Sequence, residues 1–95
     1  MIGILNTKYC QEVNKLNVRI DTAARSYNFS ISTTNEKQVL AFCGTLGVYN
    51  TNLLVGIICI VDEEQDENTN ERVLVLTNAK DNGKSFRICD YTPID

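Results

Sequence analysis

Histidine and tryptophan are absent from the 95 residues of this chain, and proline occurs only once. Without histidine there is no Ser–His or Cys–His pair, so a hydroxyl or thiol nucleophile lacks its usual base. No carboxylate dyad can be proposed either, because the sequence alone does not pair any of the carboxylates Glu12, Asp21, Asp62 and Asp90. We therefore expect a protein that is not an enzyme and that holds no cofactor.

Long hydrophobic segments are missing too. The longest apolar run covers nine residues, 53–61, which is about half of the ~20 that a membrane-spanning helix requires. The first ten residues, MIGILNTKYC, have neither the basic start nor the long apolar stretch of a secretory signal. We therefore expect a soluble cytoplasmic protein without membrane contacts, and its length predicts a single domain over residues 1–95.

The four cysteines do not form close pairs, and no CxxC motif occurs. Structural zinc sites usually gather their ligands from such pairs, and disulfides require an oxidising compartment. Three of the thiols, Cys43, Cys59 and Cys89, lie within apolar runs. Because an unpaired cysteine packs as a small hydrophobe, we predict free thiols in the core and no metal site.

Negative charge is concentrated in one segment, DEEQDENTNE at positions 62–71. It holds six of the twelve acidic residues and no base, whereas the rest of the chain carries nine bases and six acids. The carboxylates repel one another and no apolar residue anchors the segment, so we predict a mobile connection between two strands. Its role is either solubility or a negatively charged contact for a basic patch on a protein partner. The candidate partner-binding residues are Glu63, Glu64, Asp66 and Glu67.

The apolar spacing changes along the chain from a helical period to a β period. Tyr9, Val13 and Leu16 recur at i, i+4 and i+7, which predicts a short amphipathic helix over residues 6–16. After it, NVRI at 17–20 and YNFSIS at 27–32 alternate between apolar and polar residues. This alternation predicts strands with one solvent-exposed face.

The segment TTNEKQVLAFCG at 33–44 has two interpretations. Thr33 and Glu36 are spaced as in a capping box, and Gly44 would end the helix that follows. The same residues also suit a hairpin loop that leads into a strand, QVLAFC, rich in Val and Phe. We favour the strand.

The second half of the chain contains three β-rich runs, LLVGIICIV, RVLVLT and SFRICDY, separated by polar turns. They predict an antiparallel meander. In RVLVLT, Val73 and Val75 face one side while Leu74 and Leu76 face the other, so both faces need cover. We therefore predict a β-rich α+β fold: an antiparallel sheet or small partly closed barrel of five or six strands, with one short N-terminal helix. A second copy of the chain would cover an apolar face that one copy leaves exposed, so we also predict a homo-oligomer.

The Gly-Lys-Ser tripeptide at 83–85 matches the end of a Walker-type phosphate loop, but Asn78 stands where the first glycine is required. The loop also needs a helix that starts at the lysine, whereas SFRICDYTPID has a β-prone pattern. Asp-Asn-Gly at 81–83 instead favours a hairpin turn with a positive φ at Gly83.

Protein–protein contact is the function that we expect after these exclusions. The chain would be a small non-catalytic binding module, either a viral or phage accessory protein that inhibits a host factor or a subunit of a larger assembly. The alternative is a small β-barrel that binds single-stranded nucleic acid, with aromatic rings for stacking and basic side chains for phosphates. Its candidate residues are the aromatics Tyr27, Phe29, Phe42, Tyr49, Phe86 and Tyr91 and the bases Arg19, Arg25, Lys84 and Arg87.

Overall fold

The computed structural model describes residues 1–94, which form seven β-strands and one α-helix. In chain order these are β1 (Ile2–Cys10), β2 (Lys15–Thr22), β3 (Ser26–Ser32), α1 (Glu36–Thr45), β4 (Ile58–Gln65), β5 (Arg72–Asn78), β6 (Asp81–Ile88) and β7 (Thr92–Ile94). All seven strands lie in one antiparallel sheet, in the order β6-β5-β4-β1-β2-β3-β7. The predicted β-rich α+β fold on an antiparallel sheet is confirmed, with seven strands instead of five or six.

The N-terminal helix that we predicted over residues 6–16 is wrong. β1 and β2 pair there as an antiparallel hairpin, and Gln11–Val13 make a single 3-10 turn between them. Tyr9 and Val13, which belong to the supposed helical stripe, are more than half exposed. The residues that are buried in β2 instead follow a period of two; they are Leu16, Val18 and Ile20.

Residues 36–45 form α1 rather than the strand that we favoured. The helix starts after Asn35, whose side-chain oxygen accepts a hydrogen bond from the backbone N–H of Gln38 (3.2 Å). It ends at Thr45, and Gly47 follows in the left-handed region at φ +79°, where glycine is least strained. The N-cap is therefore Asn35 rather than Thr33, and the glycine that follows the helix is Gly47 rather than Gly44.

The sheet curls strongly, so that its two edge strands approach each other. β6 and β7 lie at opposite ends of the strand order, yet only residues 89–91 connect them. A connection of this length spans at most about 14 Å. The two edges do not pair with each other within residues 1–94, so the sheet is curled but not closed into a barrel.

Helix α1 lies across the gap between the two sides of the curled sheet. The buried ring of Phe42 packs edge-on against Phe29 of β3 and Phe86 of β6, with centroid distances of 5.8 and 5.3 Å. Each such aromatic pair contributes about 0.5–1.5 kcal/mol beyond the burial of its area. At the end of the helix, the side-chain N–H of Asn78 donates to the carbonyl oxygen of Thr45 (3.0 Å). The helix is thereby attached to β3, β5 and β6.

The concave face of the sheet holds the hydrophobic core. Every second residue of β2 and β3 points inward, and the rest of the interior comes from the other long strands, from helix α1 and from the segment between α1 and β4. Gly3 of β1 lies on this face, where an added Cβ would come within 2.6 Å of the side chains of both Ile20 and Val61. The absence of a side chain at Gly3 therefore lets β2 and β4 pack against each other across β1.

The Gly-Lys-Ser tripeptide lies within β6, and residues 86–88 after it continue this strand. β5 and β6 form the predicted hairpin, but its turn is Ala79-Lys80. Gly83 is a strand residue without a positive φ, so the position that we predicted for the turn is wrong. Because a phosphate loop needs a helix at this point, the backbone here is incompatible with one.

The thiol prediction is confirmed for two of the core positions and wrong for one. All four cysteines are free; Cys43 and Cys59 are buried, and burial raises the pKa of the Cys59 thiol to about 11. Cys89 is exposed because it lies in the short link between β6 and β7, and Cys10 is half-buried.

None of the helical segments in residues 1–94 has the length and hydrophobicity of a membrane span.

We predict that Phe42→Ala lowers the free energy of unfolding by about 3–5 kcal/mol, because it empties the space between Phe29 and Phe86. Leu40→Ala is the matched control, since Leu40 lies on the same helix but is 65% exposed; it should change stability by less than about 0.5 kcal/mol. Urea unfolding followed by circular dichroism measures both. Equal losses in the two variants would contradict a bridging role for Phe42.

Candidate functional site

A polar cluster at one end of the curled sheet is centred on Glu63. Glu63 lies where β4 extends past the start of β1, and it points to the concave side, where its side chain is only 17% exposed. Its carboxylate accepts hydrogen bonds from the hydroxyls of Tyr27 on β3 (2.8 Å) and Tyr91 in the β6–β7 link (2.7 Å). The guanidinium of Arg72 on β5 lies 3.7 Å from it. We call these four residues the Glu63 cluster.

The pKa values in the Glu63 cluster follow from these contacts. The hydrogen bond from Tyr91 is the largest influence, and together with that from Tyr27 and the charges of Arg72 and Arg25 it holds the pKa of the Glu63 carboxyl below its usual value, against the effect of burial. Burial, followed by the hydrogen bond to Glu63, raises the pKa of Tyr91 to about 12. At neutral pH the carboxyl is therefore ionised and the phenol neutral, as their hydrogen bond requires.

A shallow pocket of about 520 Å³ opens beside the Glu63 cluster, and Arg25, Cys89 and Pro93 also line it. A general base works best when its pKa is close to the operating pH. The lowered pKa of Glu63, which already accepts two hydroxyl protons in hydrogen bonds, does not meet that condition. The geometry fits a clamp that joins β3, β4 and the β6–β7 link better than it fits a catalytic pair.

The four candidate partner-binding residues do not lie together on one surface. Glu63 points into the fold, whereas Glu64 points to the convex face and forms an ion pair with Arg87 of β6 (3.2 Å). Asp66 begins the β4–β5 turn, and Glu67 is exposed at its tip. Contact with a partner stays a prediction for Glu64, Asp66 and Glu67, while the position of Glu63 assigns it to the clamp.

The acidic segment is more regular than we predicted. Residues 62–65 belong to β4, where successive side chains alternate between the two faces of the sheet, so the prediction of a connection is wrong for them. Residues 66–71 form a tight turn in which the backbone N–H of Asp66 donates to the carbonyl of Glu71 (2.7 Å) and that of Asn70 to the carbonyl of Asp66 (2.8 Å). Because side chains alternate between the two faces of a strand, Glu63 points inward while its neighbours Asp62 and Glu64 point outward. Composition alone does not reveal this difference.

The ion pair between Glu64 and Arg87 covers the convex face of β5. Val73 and Val75 point to this face and are nevertheless buried. The strand register places Glu64 beside Val73 on one neighbouring strand and Arg87 beside Val75 on the other, so the paired side chains cross over β5. The apolar stems of long charged side chains cover hydrophobic surface in this way. This part of the second face is therefore covered within the chain itself.

The convex face of β1 and β4 carries an exposed apolar surface that the sequence reasoning missed. Ile2 lies directly opposite Ile60, and Ile4 opposite Ile58. Ile2, Ile4 and Ile58 are 60, 50 and 53% exposed, and Ile60 is half-buried; we call these four residues the isoleucine patch. In the sequence, IGIL and ICIV are apolar at every position, which indicates strands with apolar side chains on both faces. Only the pairing of β1 with β4 shows that the outward isoleucines of the two strands form one surface. Contiguous exposed apolar surface marks interaction sites in soluble proteins.

The residues considered for nucleic-acid binding are mostly engaged inside the fold or with carboxylates. Among the six aromatics only Tyr49 presents an exposed ring, while five are buried or half-buried: Tyr27, Phe29, Phe42, Phe86 and Tyr91. Among the four bases, Arg19 and Arg87 form ion pairs. A row of stacking rings, on which single-stranded nucleic acid relies, is not formed by this set.

Comparison with known proteins adds no lead, since no family model, curated protein or solved structure matches this chain. Within residues 1–94, no three His, Cys, Asp or Glu side chains are grouped so that they could hold a metal ion. The function therefore has to be inferred from the geometry of the surfaces.

We predict that Glu63→Gln lowers the free energy of unfolding by about 1.5–3 kcal/mol at neutral pH, because hydrogen bonds to a charged acceptor are lost. The control is Glu64→Gln, which breaks an exposed ion pair and should cost less than about 1 kcal/mol. Urea denaturation of the three proteins measures this difference. An ionised carboxyl with a lowered pKa stabilises the fold above its unfolded pKa, and this stabilisation is lost as the pH falls through the folded value. The loss in free energy of unfolding that Glu63→Gln causes should therefore shrink below pH 4.5. A loss that persists there would contradict the role of Glu63 as a charged hydrogen-bond acceptor.

A second pH dependence arises from Tyr91. Its pKa of about 12 in the folded state exceeds the usual value of 10.0, so the stabilisation from its proton is complete below pH 10 and is lost as the pH rises towards 12. We predict that Tyr91→Phe loses less stability over this alkaline range than the wild type does. Tyr49→Phe, which changes an exposed tyrosine, should follow the wild-type curve. Parallel curves for all three proteins would show that the Tyr91 hydroxyl is not held by Glu63.

Proposed function

We propose that this protein is a non-catalytic protein-binding domain and that the isoleucine patch is its contact surface. The observation that carries the proposal is the exposure of two directly opposed isoleucine pairs at the centre of a sheet whose other face is filled by the core. Covering apolar surface stabilises a complex by about 25 cal/mol per Å² before the costs of association. A flat patch of β-branched side chains therefore favours another apolar protein surface as its ligand.

A second copy of this chain is the occupant that we propose for the isoleucine patch. A two-fold contact places the same surface on both sides, so the apolar centres meet and the charged rims must be compatible. Asp21 lies opposite Ile4 and pairs with Arg19 (2.9 Å), and Asp62 lies 3.8 Å from the amino group of Met1. Each acid of the rim therefore has a positive neighbour, which limits like-charge repulsion in a self-contact.

Self-association agrees directly with one of the two biological settings that the sequence suggests, because a subunit of a larger assembly needs a contact with its neighbours. In the other setting, a small viral or phage accessory protein that inhibits a host factor would bind that factor through a surface other than the self-contact. In either setting the work is done by surface contact, and the Glu63 cluster serves to maintain the fold that presents the surface.

We predict that the wild-type protein dimerises and that Ile4→Thr/Ile58→Thr weakens this association at least about tenfold. Threonine keeps the branched shape that suits a strand but removes apolar surface. Size exclusion with light scattering over a dilution series measures the association, which should change little with salt because the contact is apolar. The control is Val13→Thr, an exposed residue outside the patch.

Two outcomes would contradict this proposal. A wild-type protein that is monomeric at every concentration would reject the second copy as the occupant. A dimer that the double threonine variant leaves unchanged would place the contact on another surface.

A further inference from the structure

A polar groove of about 950 Å³ crosses the convex face of β1, β2 and β3. Outward-pointing polar side chains form its floor, among them Asn6, Lys8, Lys15 and Arg19. Of the described residues that line it, Asp90 alone is acidic. The polar groove therefore has a positive local charge in a chain whose net charge is −3.

Two of the three cations in the polar groove lack a carboxylate partner. Arg19 pairs with Asp21, but Lys8 and Lys15 are exposed and form no ion pair within residues 1–94. Lys8 lies opposite Asn17, and Lys15 lies two residues from Asn17 on the same face. Residues on such a diagonal are about 7–8 Å apart, and their Cβ atoms are somewhat closer. Two adjacent unpaired ammonium groups favour a ligand with several negative charges.

The β4–β5 hairpin of the same chain carries the complementary charge. We define the acidic arm as residues 62–72, the part of this hairpin that projects past the start of β1. At its tip Asp66, Glu67 and Glu71 form no ion pair within the described residues 1–94. The neighbouring guanidinium of Arg72 lies beside the inward-pointing Glu63. The tip thus keeps three carboxylates without a cationic partner in the described chain.

The tip of the acidic arm cannot reach Lys8 in the polar groove of its own chain. Ile2 lies opposite Ile60 on antiparallel strands, so the arm extends in one direction while Lys8 lies further along β1 in the other. The stretch of β1 from Ile2 to Lys8 alone covers about 20 Å, and the longest dimension of the molecule is 34 Å. Lys8 and the arm tip therefore lie in opposite directions along the pair of strands β1 and β4.

We infer that the acidic arm of one copy docks in the polar groove of a second copy. Lys8 and Lys15 bind the carboxylates of Glu67 and Glu71, and the groove amides provide hydrogen bonds to the polar turn between them. Because the contact joins two different surfaces of the chain, it assembles copies into a ring or an open chain. The inference rests on the proposed function only in naming a second copy as the partner, since none of the isoleucines takes part.

The two contacts differ in their response to salt. Exposed ion pairs are individually weak and are screened by salt, so docking of the arm should be strongest at low ionic strength. Apolar contact at the isoleucine patch lacks this dependence. Salt therefore separates the two contacts experimentally.

The test is a charge-swap complementation in the double threonine background, where the isoleucine patch contributes least. The groove variant carries Lys8→Glu and Lys15→Glu, and the arm variant carries Glu67→Lys and Glu71→Lys. Each variant alone has like charges on arm and groove, whereas a mixture of the two restores opposite charges at both contacts. Sedimentation velocity measures association at about 20 mM and about 500 mM NaCl, between which the screening length falls from roughly 20 Å to roughly 4 Å.

The parent protein is the Ile4→Thr/Ile58→Thr variant, and we expect it to associate at low salt. Each charge variant alone should associate at least about tenfold more weakly. The equimolar mixture of the two charge variants should associate as strongly as the parent. High salt should abolish association in all samples. Lys37→Glu/Lys80→Glu is the matched control, because it has the same net charge as the groove variant but changes exposed lysines outside the groove. It should stay close to the parent.

A mixture that remains monomeric, or single variants that associate as the parent does, would overturn the inference. So would a parent that is monomeric at low salt; the proposed function is decided separately, by the wild-type dilution series. Nucleic acid is the competing occupant, and a labelled single-stranded oligothymidine tests it. Salt-sensitive binding of this probe that the groove variant loses, without complementation between the variants, would assign the groove to phosphates and reject the arm.

Discussion

The structure depends on holding together a seven-stranded sheet that curls without pairing its edges. Such a sheet leaves a gap between β3 and β6, and the core excludes water only if that gap is closed. Phe42 closes it with two edge-on ring contacts, and further along the sheet the carboxylate of Glu63 joins Tyr27 to Tyr91. The ring contacts are apolar and adaptable, while the hydrogen bonds are directional. Together they fix the distance between the two sides and the position of the short link that returns the chain to β7.

Because the core fills the concave face, the contacts that we propose lie on the convex face. Across that face the surface changes from the Glu64–Arg87 pair over β5, through the isoleucine patch on β1 and β4, to the polar groove on β1, β2 and β3. The Glu64–Arg87 pair covers Val73 and Val75 of the same chain, whereas the isoleucines remain exposed. The difference has a physical reason. A long charged pair spans β5 at the valines, whereas only short polar side chains flank the isoleucines, among them Thr77, Asp21 and Asp62.

The parts of the fold that the sequence predicted are those in which local pattern and final environment agree. The fold class and the β5–β6 hairpin follow from alternating or continuous apolar runs. The helix expected over residues 6–16 failed because Tyr9, Val13 and Leu16 match a helical period by coincidence, in a hairpin whose buried residues follow a period of two. The helix at 36–45 was missed because QVLAFC at 38–43 is rich in β-prone residues, whereas the cap that starts the helix, Asn35, precedes this run and its packing partner, Phe86, lies on a distant strand. The isoleucine patch and the Glu63 cluster both require contacts between strands from opposite halves of the chain, which no local pattern specifies.

The acidic segment shows how one composition serves two physical roles. Glu63 is the carboxylate of this segment that turns inward, and its charge is tolerated there because two hydroxyls and a guanidinium replace the lost water. Its neighbours on the convex face and in the turn stay in solvent, where repulsion between them is weak. The inward residue also fixes the base of the acidic arm against β3 and the β6–β7 link, so the tip projects from a hydrogen-bonded hairpin. Because a preorganised element loses less conformational entropy on binding than a mobile one, the Glu63 cluster lowers the cost of docking for the carboxylates at the tip without touching the partner.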